Sequence, residues 1–103
     1  MAKSRAEQQL EALDAVVSAL AHPARRQILM TIHLRGGEVP AGDIAARFAH
    51  SWPTTTRHLQ VLEAAGLIRA QAQGRIRAYS IDLNRLAVLR EWLGWFGKAG
   101  QRR

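Results

Sequence analysis

Two short segments concentrate side chains that could hydrogen-bond to a polyanion. Hydroxyl, amide and guanidinium groups are the donors that proteins place on phosphate oxygens and on base edges in the major groove. These groups recur between positions 51 and 60 and again between 75 and 77. We predict that the two segments contact duplex DNA through Ser51, Trp52, Thr54, Thr56, Arg57, His58, Gln60, Arg75 and Arg77.

The first segment has helical spacing, which decides which of its residues face outward. At 3.6 residues per turn, Thr55 and Leu59 share one face, and Arg57 and Gln60 lie on the opposite face. We therefore expect Thr55 to be buried and the opposite face to reach the DNA.

Two residues of this segment have two interpretations each. His58 lies at the edge of the buried face, so it either packs with a backbone hydrogen bond or contacts a phosphate. Trp52 either stacks over sugar and backbone or fills the turn against the core. The sequence leaves both alternatives open.

The composition favours a polyanionic partner. Fifteen Lys and Arg against eight Asp and Glu give a formal net charge of +7, and only Lys3 and Lys98 among these cations are lysines. The planar arginine fork suits phosphates and guanine edges. The chain has no cysteine, which agrees with a reducing compartment, and its apolar runs are shorter than the roughly 20 residues of a membrane span. We expect a bacterial cytoplasmic protein, associated with the nucleoid when bound, with no membrane partner.

Hydrophobic spacing and capping residues predict a single domain over residues 1–96. A β-hairpin is expected with strands over 67–72 and 75–81 and a turn at Gln73-Gly74, and a basic, disordered tail over 97–103. Helices are expected over 4–21, 23–35, 41–48, 51–65 and 83–96.

The order α-α-α-α-β-β-α predicts a mainly α fold with a β-hairpin wing, a winged helix-turn-helix. Its third and fourth helices form the helix-turn-helix, and the fourth can enter a major groove. The hairpin, which carries Arg75 and Arg77, can reach the flanking backbone or the minor groove.

The first and last helices carry matching apolar seams at 3-4-3 spacing. A small domain needs only one face of each helix for its own core, so we expect an isologous homodimer interface. The other interpretation is that both helices pack entirely within one subunit. The predicted interface residues are Leu10, Leu13, Val17, Leu20, Leu86, Leu89, Leu93 and Phe96.

Three stretches resemble the ArsR family of winged-helix repressors. They are Ala19–Leu29, with the string ALAHPARRQIL; Ser51–Ile68, with HLQVLEAAGLI; and the wing, with Gly74-Arg75 and YSID at 79–82. The resemblance covers about Leu10 to Phe96. It implies a homodimer formed by the first and last helices, a repressor released by a signal, and operator binding through Thr54, Thr56, Arg57 and the wing.

The sequence departs from the family pattern at a few positions, and these bear on metal control. His22 stands where Asp usually caps the second helix, His50 where the turn is usually apolar, and Thr55 where Val is common. Metal-sensing members carry cysteines in the third helix or Asp and His ligands on the last helix. Here positions 38–43 hold no cysteine, and no histidine follows His58. The four histidines show no ligand spacing, so we expect no metal site and no cofactor.

Other classes of function are less well supported. An enzyme is not expected, because the chain has no cysteine nucleophile, no carboxylate pair beside a histidine and no phosphate-binding glycine loop. RNA binding would favour exposed stacking aromatics, of which Trp52 alone qualifies. The alternative to a sequence-specific, double-stranded DNA-binding repressor with an inverted-repeat operator is a winged-helix module for protein–protein contact.

Overall fold

The computed structural model describes residues 2–48 and 50–101. It confirms a mainly helical winged helix-turn-helix, in which α3 and α4 form the helix-turn-helix and β2 and β3 form the wing. The elements are α1 (Arg5–Leu20), α2 (Pro23–Arg35), β1 (Val39–Pro40), α3 (Ala41–Ala45), α4 (Trp52–Ala64), β2 (Ile68–Gln73), β3 (Ile76–Ile81) and α5 (Leu83–Gln101).

Four helices begin at a residue whose side chain satisfies a free backbone N–H. At α5 this residue is Asp82, whose carboxylate accepts from the N–H groups of Asn84 and Arg85. Ser4 caps α1 and Ser51 caps α4, as their positions predict. At α2 the cap is His22, whose Nδ1 accepts from the N–H of Ala24 at 3.1 Å. The imidazole of His22 therefore caps α2 in place of the Asp carboxylate that is usual at this position in the ArsR family.

The wing belongs to a three-stranded antiparallel sheet with strand order β1-β3-β2. The short strand β1 is not predicted from the sequence, and it places Val39 opposite Tyr79 of β3. Because β3 is the central strand, both Ala78 and Tyr79 are buried. The sheet therefore ties the wing to the segment that leads into the helix-turn-helix.

The hairpin turn lies one residue later than predicted. Gln73 pairs with Ile76, so the two turn residues are Gly74 and Arg75. Gly74 has a φ of +65°, which is the left-handed conformation that the first position of a tight hairpin turn requires. Arg75 therefore lies at the tip of the wing.

A single hydrophobic core joins all these elements. It contains buried side chains from α1, α2, α3 and α4 and from the sheet. The largest fully buried members are Ile28, Ile32, Ile44, Leu59, Leu62, Leu67, Ile68, Val16 and Val39.

Two predicted helix ends are wrong. α3 ends at Ala45, and the chain then turns so that Phe48 still packs against the core beside Ile44. α5 continues to Gln101 instead of ending at Phe96, because Gly97 lowers helix propensity but no proline follows to stop the helix. Positions 102 and 103 of the predicted tail lie outside the described residues. Among those described, no helix has the length and hydropathy that crossing a membrane requires.

Candidate DNA interface

The exposed side of α4 is polar and carries one cation. Thr54, Arg57 and Gln60 are exposed, and Thr56 is half-buried, whereas Thr55 is buried together with Leu59. The predicted division of this helix into an inner and an outer face is confirmed. We call the exposed residues Thr54, Arg57 and Gln60 the α4 face.

The first turn of α4 is arranged to meet an anion. The Ser51 hydroxyl accepts from the N–H of Thr54 at 3.3 Å and donates to Thr54 Oγ1 at 3.0 Å. Thr54 can therefore donate its own hydroxyl proton outward. The buried Thr55 hydroxyl instead donates to the Ser51 carbonyl at 3.1 Å. No acidic residue lies in this turn, so the positive end of the helix dipole is not neutralised there.

Trp52 lies at the entry to the same turn and is 53% exposed. A side chain that filled the turn against the core would lose nearly all of this exposure. The structure therefore disfavours the plugging alternative and leaves the indole available beside the α4 face.

The two wing arginines have different surroundings. Arg75 lies in the hairpin turn and is exposed. Arg77 is exposed too, but its guanidinium lies 3.3 Å and 3.4 Å from the carboxylate oxygens of Glu63 on α4. This ion pair links the wing to α4. Sequence reasoning missed this pairing, because nothing local relates positions 63 and 77.

His58 packs in the interior instead of joining the α4 face. Only 8% of it is exposed, which favours the packed alternative and argues against the predicted phosphate contact. Its ring centroid lies 4.6 Å from that of His22 and 6.2 Å from that of His50. Burial, followed by the charges of His22 and Arg25, lowers the pKa of His58 from its ordinary value, and His50 and Arg57 act in the same direction.

The histidines of the chain are therefore less scattered than the sequence suggests. The fold brings three of them, His22, His50 and His58, from three different elements into one cluster. No set of three or more candidate ligands within residues 2–48 and 50–101 has an arrangement that could hold a metal ion. We call these three residues the histidine cluster.

Two arginines at the start of α2 bind the end of α1. Arg25 donates from Nε to the Ala19 carbonyl at 2.5 Å and from its terminal nitrogen to the Ser18 carbonyl at 3.3 Å. Arg26 donates to the Leu20 carbonyl at 2.8 Å. The contacts to Ala19 and Leu20 satisfy carbonyls of the kind that a helix end leaves without partners. They fix α1 relative to α2.

The predicted dimer seams divide between the core and the surface. Leu20, Leu86 and Leu89 are partly buried against the core of their own chain, and their place in the interface stays a prediction. Leu13 lies in a groove of about 260 Å³ between α1 and α5. The Trp92 and Phe96 rings meet edge to face, 5.0 Å apart.

Other large apolar side chains on these two helices are exposed. Exposed apolar side chains grouped on one surface often mark a site of protein–protein contact. We call this set the α1–α5 face: Leu10, Val17, Leu93, Trp95 and Phe96.

Known proteins are similar to this chain in sequence and in fold. A family model described as a helix-turn-helix domain matches residues 20–71. The transcriptional repressor SdpR of Bacillus subtilis (strain 168) is 35% identical over 83 residues, which cover 81% of this chain and 87% of SdpR.

Two solved structures have the same architecture. An ArsR-like transcriptional regulator from Rhodococcus sp. RHA1 superposes with a TM-score of 0.74 at 27% identity, covering 91% of this chain and 87% of that one. The homodimeric winged helix-turn-helix DNA-binding domain of a possible ArsR-family regulator from Mycobacterium bovis gives a TM-score of 0.72 at 23% identity, over 99% and 94% of the two chains. The second likeness establishes the fold alone.

Proposed function

We propose that this chain, which belongs to the ArsR family of winged helix-turn-helix transcriptional regulators, is a homodimeric repressor that binds an inverted-repeat operator and is not controlled by metal. The family consists of transcriptional regulators with a helix-turn-helix DNA-binding domain, and the curated relative SdpR is a transcriptional repressor. Repression, the dimer and the independence from metal are the parts that need testing. We also propose that the protein acts in the cytoplasm.

The α4 face is the observation that carries the proposal. It presents a hydroxyl, a guanidinium and an amide from successive turns of one helix, starting at a free positive helix end. Hydroxyls and guanidinium groups bind phosphates, and Gln can hydrogen-bond to adenine through two atoms. We assign Thr54, Arg57 and Gln60 to the major groove and Thr56, which is half-buried, to the edge of the contact.

The remaining predicted contact residues take supporting roles. Ser51 orients Thr54 through its two hydrogen bonds, and Trp52 lies against the sugar–phosphate backbone. Arg75 at the wing tip contacts phosphates or the minor groove. Arg77 contributes after exchanging Glu63 for a phosphate, which can accept two parallel hydrogen bonds from a guanidinium as a carboxylate can.

The dimer is supported by the α1–α5 face. Two copies related by a two-fold axis cover this face and place the two α4 helices about 34 Å apart, one turn of duplex. The homodimeric state of the structural relative from Mycobacterium bovis supports the same arrangement.

Independence from metal is supported by ligand chemistry. The chain lacks cysteine altogether. Soft-metal sensors of this fold class need thiolates, and a zinc or nickel site needs three or four convergent ligands.

Selection of genomic duplexes by the purified protein tests the proposal. An enriched inverted repeat is expected, and no enriched sequence would contradict it and support the alternative of a protein–protein module. Arg57→Ala should lose the enrichment. Arg35→Ala is the matched control, since Arg35 lies at the far end of α2 and pairs with Asp43 at 2.8 Å on the surface, where an ion pair contributes little stability.

A further inference from the structure

The histidine cluster lies where α4 meets the junction between α1 and α2. His58 belongs to α4, His22 is the N-cap of α2, and His50 lies in the turn that enters α4. The rings of His22 and His58 are tilted by 51° at a centroid distance of 4.6 Å. The cluster therefore joins α4 to the α1–α2 junction.

Arg25 extends this junction to the proposed dimer helix α1. One terminal nitrogen of its guanidinium lies 3.5 Å from Nδ1 of His58, while its other nitrogens bind the Ser18 and Ala19 carbonyls at the end of α1. A guanidinium has donors only. The contact with His58 is therefore favourable only while Nδ1 carries a lone pair, that is, while the ring is neutral and its proton lies on Nε2.

The cap of α2 has the same requirement. Nδ1 of His22 accepts from the N–H of Ala24, so a proton on that nitrogen removes the cap. Two ring nitrogens of the cluster thus act as acceptors, and protonation abolishes both functions.

We propose that His58 is a positioning residue whose neutral ring holds α4 against the α1–α2 junction, and that acidification, by protonating His58, loosens α4 and weakens operator binding. The step that concerns the operator rests on the proposed function. The positioning of α4 does not, since it concerns the folded protein alone.

The charges around His58 all act in one direction. The groups that act on it are His22 from the α1–α2 junction, Arg25 from α2, His50 from the turn and Arg57 from α4 itself. Each is positive or becomes positive on protonation. No carboxylate is among the groups that act on His58 in this part of the structure, so the added charge has no local counterion.

The direction of the pH effect follows from the lowered pKa of His58, which arises first from burial. The unfolded chain, with an ordinary histidine pKa of about 6.5, binds more protons than the folded chain as the pH falls below that value. The contribution of His58 to stability is therefore complete above about pH 6.5 and is lost below it. At pH 5.5 an unshifted histidine is about 90% protonated, so the folding equilibrium constant falls by up to about tenfold.

The experiment compares wild type, His58→Gln and His33→Gln at pH 7.5 and 5.5. Glutamine keeps an acceptor for Arg25 without a titrating proton, and His33 is an exposed histidine on α2 outside the cluster. Denaturant unfolding should show an acid loss of up to about tenfold in wild type and His33→Gln that is smaller in His58→Gln. Affinity for the selected duplex, relative to that of His58→Gln at each pH, should fall about threefold or more on acidification.

Parallel pH profiles for wild type and His58→Gln, in stability or in relative operator affinity, would overturn the inference. If His58→Gln does not fold, ring titration by NMR in wild type decides it. His58 should then stay neutral to a pH below the ordinary histidine pKa of about 6.5, and amide exchange along α4 should accelerate as His58 titrates. Titration of His58 at or above that ordinary value would overturn it too. Absence of any duplex binding by wild type at either pH would contradict the proposed function, while the unfolding and NMR results would still judge the role of His58.

Discussion

The α4 face and the α1–α5 face are both exposed in a single subunit, but they differ in chemistry. Thr54, Arg57 and Gln60 are short or charged polar groups with unused hydrogen-bonding capacity on a helix without acidic residues in its first turn. Leu93 and Phe96 offer apolar area and nothing to bond. Water solvates the α4 face without penalty. Exposure of the α1–α5 face to water is unfavourable by about 25 cal/mol per Å² of apolar surface. The α4 face can therefore stay exposed to water without cost, and covering the α1–α5 face would be favourable.

We propose that the α4 face binds DNA and that the α1–α5 face joins two subunits. If this is right, damage to the α1–α5 face should remove both functions, because two subunits must be joined before two helices can bind one operator. Damage to the polar surface should remove binding alone.

Leu93→Glu should have the largest effect. Leu93 is 55% exposed in the subunit, so the subunit should still fold, but the substitution places a charge in a dry interface. We expect a monomer that keeps only nonspecific affinity, a loss of roughly 10³-fold or more. Sedimentation and duplex titration measure both. Leu34→Glu is the control, because Leu34 on α2 is exposed at 76% and lies outside the α1–α5 face; an equal loss there would remove the special role of Leu93.

Salt should weaken DNA binding almost as strongly, through the arginines of the α4 face and of the wing. Each subunit of a dimer supplies Arg57, Arg75 and Arg77, so about six phosphates are neutralised. Counterion release then lowers affinity about 10³-fold between about 50 and 200 mM salt. Titration of the selected duplex at several salt concentrations measures the slope. Affinity that does not respond to salt contradicts the assignment of these arginines.

Single substitutions on the α4 face and on the wing should separate contacts that recognise bases from contacts that position the protein on the phosphate backbone. Thr54→Ala or Gln60→Ala should relax base preference by about 1–3 kcal/mol if a base contact is lost. Arg75→Ala should weaken binding to all duplexes alike and reduce the salt slope by about one. Affinities for the operator and for a scrambled duplex at several salt concentrations distinguish the two. A change of preferred sequence in Arg75→Ala, with none in Thr54→Ala, would exchange the roles of wing and helix.

Metals should have the smallest effect. Without thiolates and with no convergent ligand set in the described part of the chain, zinc, cadmium, nickel and arsenite should leave operator affinity unchanged within about threefold, below ~1 kcal/mol of coupling. Duplex titration with and without each metal, after chelator treatment, checks this. Stoichiometric metal uptake that releases the duplex would contradict metal independence and would point first to the histidine cluster.

Local features of this fold are predictable from the sequence because they depend on neighbouring residues. Ser51 and Ser4 identify helix starts through bonds to residues three positions away, and the helical period alone buries Thr55 and exposes Gln60. Gly36 ends α2 with a φ of +75°. In each case the physical cause lies within a few residues.

Features that join distant positions could not be predicted in this way. The pairing of Val39 with Tyr79, the ion pair of Arg77 with Glu63 and the histidine cluster all depend on how complete elements pack. Local pattern likewise placed His58 only at the edge of the buried face. Its burial is decided by His22 and Arg25, more than thirty positions earlier in the chain.

The spacing of the operator half-sites tests the central claim most directly, namely that one dimer presents two α4 helices to one face of the duplex. In the proposed dimer the two helices would lie about 34 Å apart, so we expect half-sites one helical turn apart. An insertion of about five base pairs between the half-sites moves one of them to the opposite side of the duplex. We predict that affinity then falls to about the nonspecific level, roughly 10³-fold weaker. Unchanged affinity for the duplex with the insertion, with both half-sites intact, would contradict the account.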